Sequence, residues 1–127
     1  MIKKIPHAEL KVMKFIWGAN DTVTSKQVIE AMEKKYSWKQ TTTLALLSKL
    51  VKKQFLSAEK LDRYTHYTII IKEDDYLKFE TLNFLNMVHD NSILSLVSSI
   101  NDKKVEDEKL DLIHDCFNNY FDNLKGE

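Results

Sequence analysis

The chain has one cysteine, one proline and two glycines in 127 residues, and each scarcity removes a class of protein. A lone thiol, Cys116, cannot close an internal disulfide, so a stapled secreted scaffold is excluded and a reducing, cytoplasmic setting is expected. The four histidines, His7, His66, His89 and His114, are scattered and share no metal-ligand spacing with that cysteine. No metal and no cofactor are therefore expected. There is no glycine-rich phosphate loop and no nucleophile with a base at a recognisable spacing, which argues against an enzyme. No leader pattern is present and no apolar run approaches the roughly 18 residues of a membrane span, so the expectation is a soluble protein without membrane insertion.

A formal net charge of zero at first sight argues against nucleic acid, but the charge is segregated. Residues 1–70 carry 13 Lys+Arg against 6 Asp+Glu, and residues 71–127 carry 6 against 13. A basic half can displace condensed cations from DNA, and an acidic half facing away does not cancel that field beyond a Debye length of about 8 Å.

With so little glycine and proline, helices should dominate. Pro6 precedes an apolar side of Leu10, Met13, Phe15, Ile16 and Trp17, predicting a first helix over 7–17 that ends at Gly18-Ala19-Asn20-Asp21. Thr24 and Gln27 have the spacing of a capping box and start a second helix over 25–35, with Val28, Ile29 and Met32 inward. A third helix over 39–53 turns Thr43, Leu46, Leu47, Leu50 and Val51 inward, which leaves Thr41, Thr42, Ala45, Ser48, Lys49 and Lys52 toward solvent. Two β-prone segments, 56–61 and 64–71, flank Asp62-Arg63, a pair suited to a tight turn. Three helices with a polar and basic third face, followed by a basic hairpin, fit a winged helix-turn-helix. Lys60 and Arg63 on the hairpin are candidate phosphate contacts, while His66 reads as a solvated group.

The acidic half predicts helices over 74–89, after Ser92, and over 105–124. The first carries Phe84, Leu85 and Val88, the second Ile93, Leu96, Val97 and Ile100, and the third Leu110, Ile113, Phe117 and Phe121. Short helices cannot bury so many apolar faces among themselves, so homodimerisation is expected here, with a monomeric helical bundle as the competitor. The fold class expected is mainly α with a small β-hairpin. It divides into a winged-helix DNA-binding domain over 1–71 and a helical dimerisation domain over 72–127.

The chain resembles the BlaI/MecI family of bacterial penicillinase and methicillin-resistance repressors along nearly its whole length. The likeness is carried by Ile5, Ala8-Glu9, Val12-Met13 and Ile16-Trp17, then by Val28-Ile29-Glu30 and by Trp38, Thr42, Leu46-Leu47, Lys49-Leu50 and Lys52-Lys53. Lys60, Arg63 and Tyr67 continue it through the hairpin, and Phe84-Leu85, Val88, Asp90, Ser92 and Leu96-Val97 beyond. This resemblance implies a dimeric repressor on an inverted-repeat operator of β-lactam resistance or related stress genes, relieved when a membrane sensor-protease system leads to its cleavage. On this reading Thr41, Thr42 and Ala45 meet the groove, while Lys49, Lys52, Lys53, Lys60 and Arg63 hold phosphates.

Several positions depart from the family pattern. Lys39 stands where a small capping residue is usual, and Gln54 and Asp62 stand where glycine is common. Leu44 and Ala45 replace polar base readers, which implies a different operator preference. The pair aligned with the family's cleavage bond is Ser99-Ile100, and the lone Cys116 separates the chain from a copper-responsive branch that uses paired cysteines. Cys116 is expected to be a small buried apolar residue. The second functional class weighed is a winged-helix adaptor that docks a protein partner through Leu44 on the outer side of the third helix.

Overall fold

Pro6 starts the first helix. Its ring removes an N–H that a helix start leaves unpaired, its φ of −61° suits the entry, and its carbonyl accepts from the Leu10 N–H at 3.0 Å. The computed structural model describes residues 2–19 and 22–100, together with Leu112 and Asp115, and within them α1 spans His7–Gly18. The order continues as β1 (Val23–Thr24), α2 (Ser25–Tyr36), α3 (Gln40–Lys52), β2 (Leu56–Leu61), β3 (Tyr64–Ile69), α4 (Glu73–His89) and α5 (Ile93–Ile100). Leu112 and Asp115 are helical; the rest of the helix expected over 105–124, with Leu110, Ile113, Cys116, Phe117 and Phe121, lies outside the described residues.

Two strands were expected and three are found. Val23 pairs with Tyr67 and Thr24 with His66, so β1 completes an antiparallel sheet of order β1-β3-β2. A two-residue strand carries no periodicity of its own, which is why only its partner reveals it. Thr24 then caps α2. Its Oγ1 accepts from the Gln27 N–H at 3.2 Å, and its own N–H donates to Gln27 Oε1 at 2.8 Å, the reciprocal box expected from the spacing. β3 stops at Ile69, short of Ile71, because the N–H groups of Ile70 and Ile71 leave the ladder and donate to the Phe55 carbonyl at 2.9 and 3.3 Å.

The core draws on every element of the first part of the chain: Val12, Met13 and Ile16 from α1, Val28 and Met32 from α2, Leu47 and Leu50 from α3, then Phe55 and Leu56. Leu10, Phe15, Ile29 and Val51, expected inward, are only half-buried. The end of α3 forms a Schellman motif, in which the Gln54 N–H donates to the Val51 carbonyl and the Phe55 N–H to the Leu50 carbonyl, both at 3.0 Å. The motif requires a left-handed residue, and Gln54 supplies it with φ 64°. Because a side chain strains that conformation, Gln54→Gly is expected to stabilise the fold by about 1 kcal/mol, read as a higher urea midpoint at unchanged slope. An unchanged or lower midpoint would show that the strain is already relieved.

The chain separates into two compact units, Met1–Leu77 and Lys78–Glu127. The first runs past Ile71 because α4 begins inside it. Tyr76 is fully buried against Trp17 and Phe55, with ring centroids 5.8 and 5.4 Å apart, and its hydroxyl accepts from the Ile5 N–H at 3.0 Å. Trp17 Nε1 donates to the Ile71 carbonyl at 3.0 Å, fixing the approach to α4. In the second unit, Asp90 and Asn91 are both left-handed, the Asn91 N–H donates to the Leu85 carbonyl at 3.0 Å, and Ser92 Oγ caps α5 by accepting from the Ser95 N–H at 3.1 Å.

Candidate nucleic-acid interface

Helical spacing decides the outer face of α3. At 100° per residue, burying Thr43, Leu46, Leu47 and Leu50 turns Thr41, Thr42, Ala45, Ser48, Lys49 and Lys52 outward, and all six are exposed. Lys49 and Lys52 also sit in the last turn, where a cation favours the negative end of the helix dipole. The start of α3 is weaker. Lys39 occupies the N-cap with no side-chain hydrogen bond, since an ammonium cannot accept from the free N–H groups.

Lys53 departs from the expected phosphate-contacting set. Its Nζ donates to Glu9 Oε1 at 2.7 Å, and Glu9 is 3% exposed. An ammonium paired to a buried carboxylate brings no net charge to a phosphate, so Lys53 belongs to the fold. The pair escaped sequence reading, although a signal was present. Glu9 falls on the stripe of Val12, Met13 and Ile16, and a carboxylate on an apolar stripe needs a cation from elsewhere in the chain.

On the hairpin, β2 and β3 pair from Leu56 with Ile69 to Leu61 with Tyr64, which places Asp62 and Arg63 at the tip. Asp62 takes φ 58°, the conformation that explains glycine's use at such a turn, and aspartate tolerates it better than most residues. Lys60 and Arg63 are exposed, while His66 is half-buried between its ladder partners Glu59 and Thr24. Tyr67 is buried in the sheet, and burial pushes its phenol above the usual range against the opposing effect of a Thr65 hydrogen bond. It therefore stays neutral under physiological conditions.

Arg63 reaches back toward the helices. With Ser25, Lys26, Gln40 and Leu44 it lines a groove of about 400 Å³ between α2, the start of α3 and the hairpin. Leu44 is thus half-buried and lines the wall of this groove at the edge of the outer face. The tip of the hairpin and one flank of α3 are brought together.

The residues expected to dimerise are divided. Phe84 and Ile100 are exposed, Ile93, Leu96 and Val97 are half-buried, and Leu85 is fully buried within its own chain, so it is removed from any external surface. Met87, not singled out from the sequence, is 72% exposed. Ser99 and Ile100 are exposed in the last turn of α5, where Ser99 Oγ donates to the Ser95 carbonyl at 2.8 Å. Among the described residues no three potential ligands gather into a metal site, and no helix is long and apolar enough to cross a membrane.

Comparison with known proteins settles the lineage. The family model described as Penicillinase repressor matches residues 5–119. The chain belongs to the penicillinase repressor family. It is 35% identical over 99 residues to the penicillinase repressor of Bacillus licheniformis, covering 76% of this chain and 77% of that protein. It is 30% identical over 102 residues to the methicillin resistance regulatory protein MecI of Staphylococcus aureus strain N315, covering 80% and 81% respectively. The solution structure of the DNA-binding domain of the repressor BlaI superposes with a TM-score of 0.55 at 37% identity, over 60% of this chain and 92% of that one. A second solution structure, of the monomeric form of Bacillus licheniformis BlaI with the blaP half-operator, matches over the same shares with a TM-score of 0.52. Membership makes the chain one of a family of repressors, not of enzymes, and the three-stranded sheet beside three helices is its winged-helix domain.

Proposed function

We propose that this penicillinase-repressor family member is a DNA-binding transcriptional repressor that acts as a homodimer on an inverted-repeat operator. The observation that carries the reading is the exposed face of α3, Thr41, Thr42 and Ala45 followed by Lys49 and Lys52, on a domain like the one BlaI uses on its half-operator. Thr41 and Thr42 reach base edges or adjacent phosphates, and Ala45 allows close approach to a thymine methyl. Lys49, Lys52, Lys60 and Arg63 hold the backbone.

Dimerisation through the second unit is supported by its exposed apolar side chains, Phe84, Met87, Val88, Leu94 and Ile100, which water disfavours. The regulated genes are those of β-lactam resistance or a related stress response, and a membrane sensor-protease system relieves repression in the cytoplasm. If cleavage falls at Ser99-Ile100, the last turn of α5 must first unwind, because a helical peptide bond cannot lie extended in a protease cleft.

The test is binding to the chain's own upstream region and to a scrambled duplex of equal length across a salt series. Lys52→Ala should reduce the slope of log affinity against log salt by about 0.9 on both duplexes, while Thr42→Ala should erode the preference between them. Equal affinity of the wild type for both duplexes overturns operator recognition. Sedimentation equilibrium giving a monomer at micromolar concentration overturns the dimer.

A further inference from the structure

A concavity of about 770 Å³ opens between the N-terminal segment and the end of α3, lined by Lys3, Pro6, Glu9, Lys49, Lys52 and Lys53. Its one carboxylate, Glu9, is buried and already paired with Lys53. Lys3, Lys49 and Lys52 remain, all exposed, and among the described residues none of the three has an ion-pair partner. The wall is therefore cationic without a compensating anion.

Lys3 is not carried by a loose end. Two residues on, Ile5 is 4% exposed and its N–H donates to Tyr76 Oη, and Pro6 then starts α1. Anchoring the segment this close lowers the entropy lost when the lysine engages a partner. The concavity is also continuous with the outer face of α3, because Lys49 and Lys52 belong to both. On the α3 wheel Lys49 and Lys53 lie toward α1 and Lys52 lies in the middle of the outer face, whereas Gln40 and Leu44 lie on the opposite flank, in the groove shared with Arg63. A helix seated in a major groove about 12 Å wide has one phosphate strand along each flank.

We infer that the basic concavity beside α1 receives the phosphodiester strand bordering the major groove on that flank, with Lys3 a phosphate-contacting residue beside Lys49 and Lys52. The inference rests on the DNA-binding reading and extends the contact surface beyond the third helix and the hairpin to the N-terminal segment. Unpaired ammonium groups spread along a space this large suit successive phosphates of a duplex better than one small ion.

The experiment uses the full chain as Lys3→Ala, with Lys52→Ala alongside, on the upstream duplex and its scrambled counterpart. Lys3→Ala should lower the salt slope by about 0.9 and weaken both duplexes by the same factor, so the gap from wild type narrows about 3.5-fold between roughly 50 and 200 mM salt. Its melting temperature should match wild type, because Lys3 is exposed, and Lys3→Arg should restore the slope. An unchanged slope in Lys3→Ala, with a reduced one in Lys52→Ala, removes Lys3 from the interface and leaves the repressor reading intact. Absence of salt-dependent binding by the wild type sinks both. Inorganic phosphate at constant ionic strength is the last arm: displacement of duplex from wild type but not from Lys3→Ala places duplex and phosphate on the same lysines, whereas phosphate that binds wild type and not Lys3→Ala without displacing duplex shows that the concavity holds the free ion only and overturns the backbone assignment.

Discussion

Lys53→Ala is expected to lower the melting temperature of the winged-helix unit by about 12–24 °C, from a loss of about 3 kcal/mol at 4–8 °C per kcal/mol for a domain of this size. The substitution leaves the Glu9 carboxylate, 3% exposed and on the same helical stripe as the buried Val12, Met13 and Ile16, without the ammonium 2.7 Å away. Breaking a buried pair from one side costs about 3–5 kcal/mol, and the lower end applies because Lys53 is itself 30% exposed and water screens part of its charge. Replacing both partners with apolar groups removes the unpaired charge. Glu9→Met/Lys53→Met should therefore recover most of the lost stability, and the double-mutant cycle reads the coupling directly.

The same pair separates a structural lysine from a DNA-contacting one. Glu9→Met/Lys53→Met removes one positive and one negative charge, so its salt slope on DNA should equal that of the wild type, in contrast to Lys52→Ala. Calorimetry within about 2 °C of wild type for Lys53→Ala would show that the ion pair does not hold the unit together. A slope lowered in the double variant would return Lys53 to the phosphate-binding set.

Tyr76→Ala should cost about 3–5 kcal/mol in urea denaturation, the range for truncating a fully buried aromatic side chain. The ring lies between Trp17 and Phe55, and the hydroxyl takes up the Ile5 N–H, so the substitution opens a cavity and orphans a buried donor together. Tyr76→Phe keeps the ring and loses only the hydroxyl, at about 1–3 kcal/mol. If the two variants are equally stable, ring packing is not what ties α4 to the unit. The same contacts predict that a fragment ending at Ile71 is less stable than one ending at Leu77, because only the longer one retains Tyr76.

Much of the candidate interface was legible because its determinants are local. Thr24 and Gln27 lie within one helical turn, and the apolar spacing of Leu46, Leu47 and Leu50 is enough to turn Thr41, Thr42, Ala45, Lys49 and Lys52 outward. The departures at Gln54 and Asp62 were visible as missing glycines, and both positions take the positive φ that glycine adopts most readily. The part of Leu44 was not legible. One residue at the edge of a helical face is exposed or half-covered according to what stands beside it, and here α2 and the tip of the hairpin form the other walls of its groove.

By itself the sequence determined helices α1 to α5, the cap of α2, the hairpin and the outward face of α3, since each follows from residues a turn or a tight loop apart. Only the tertiary structure decided that Lys53 answers Glu9 across 44 positions, that Tyr76 holds Ile5 across 71, and that Val23–Thr24 adds a strand. Such partners are chosen when the closed chain buries a charge, a donor or a strand edge that must be satisfied away from water, and no local pattern names the group that will satisfy it.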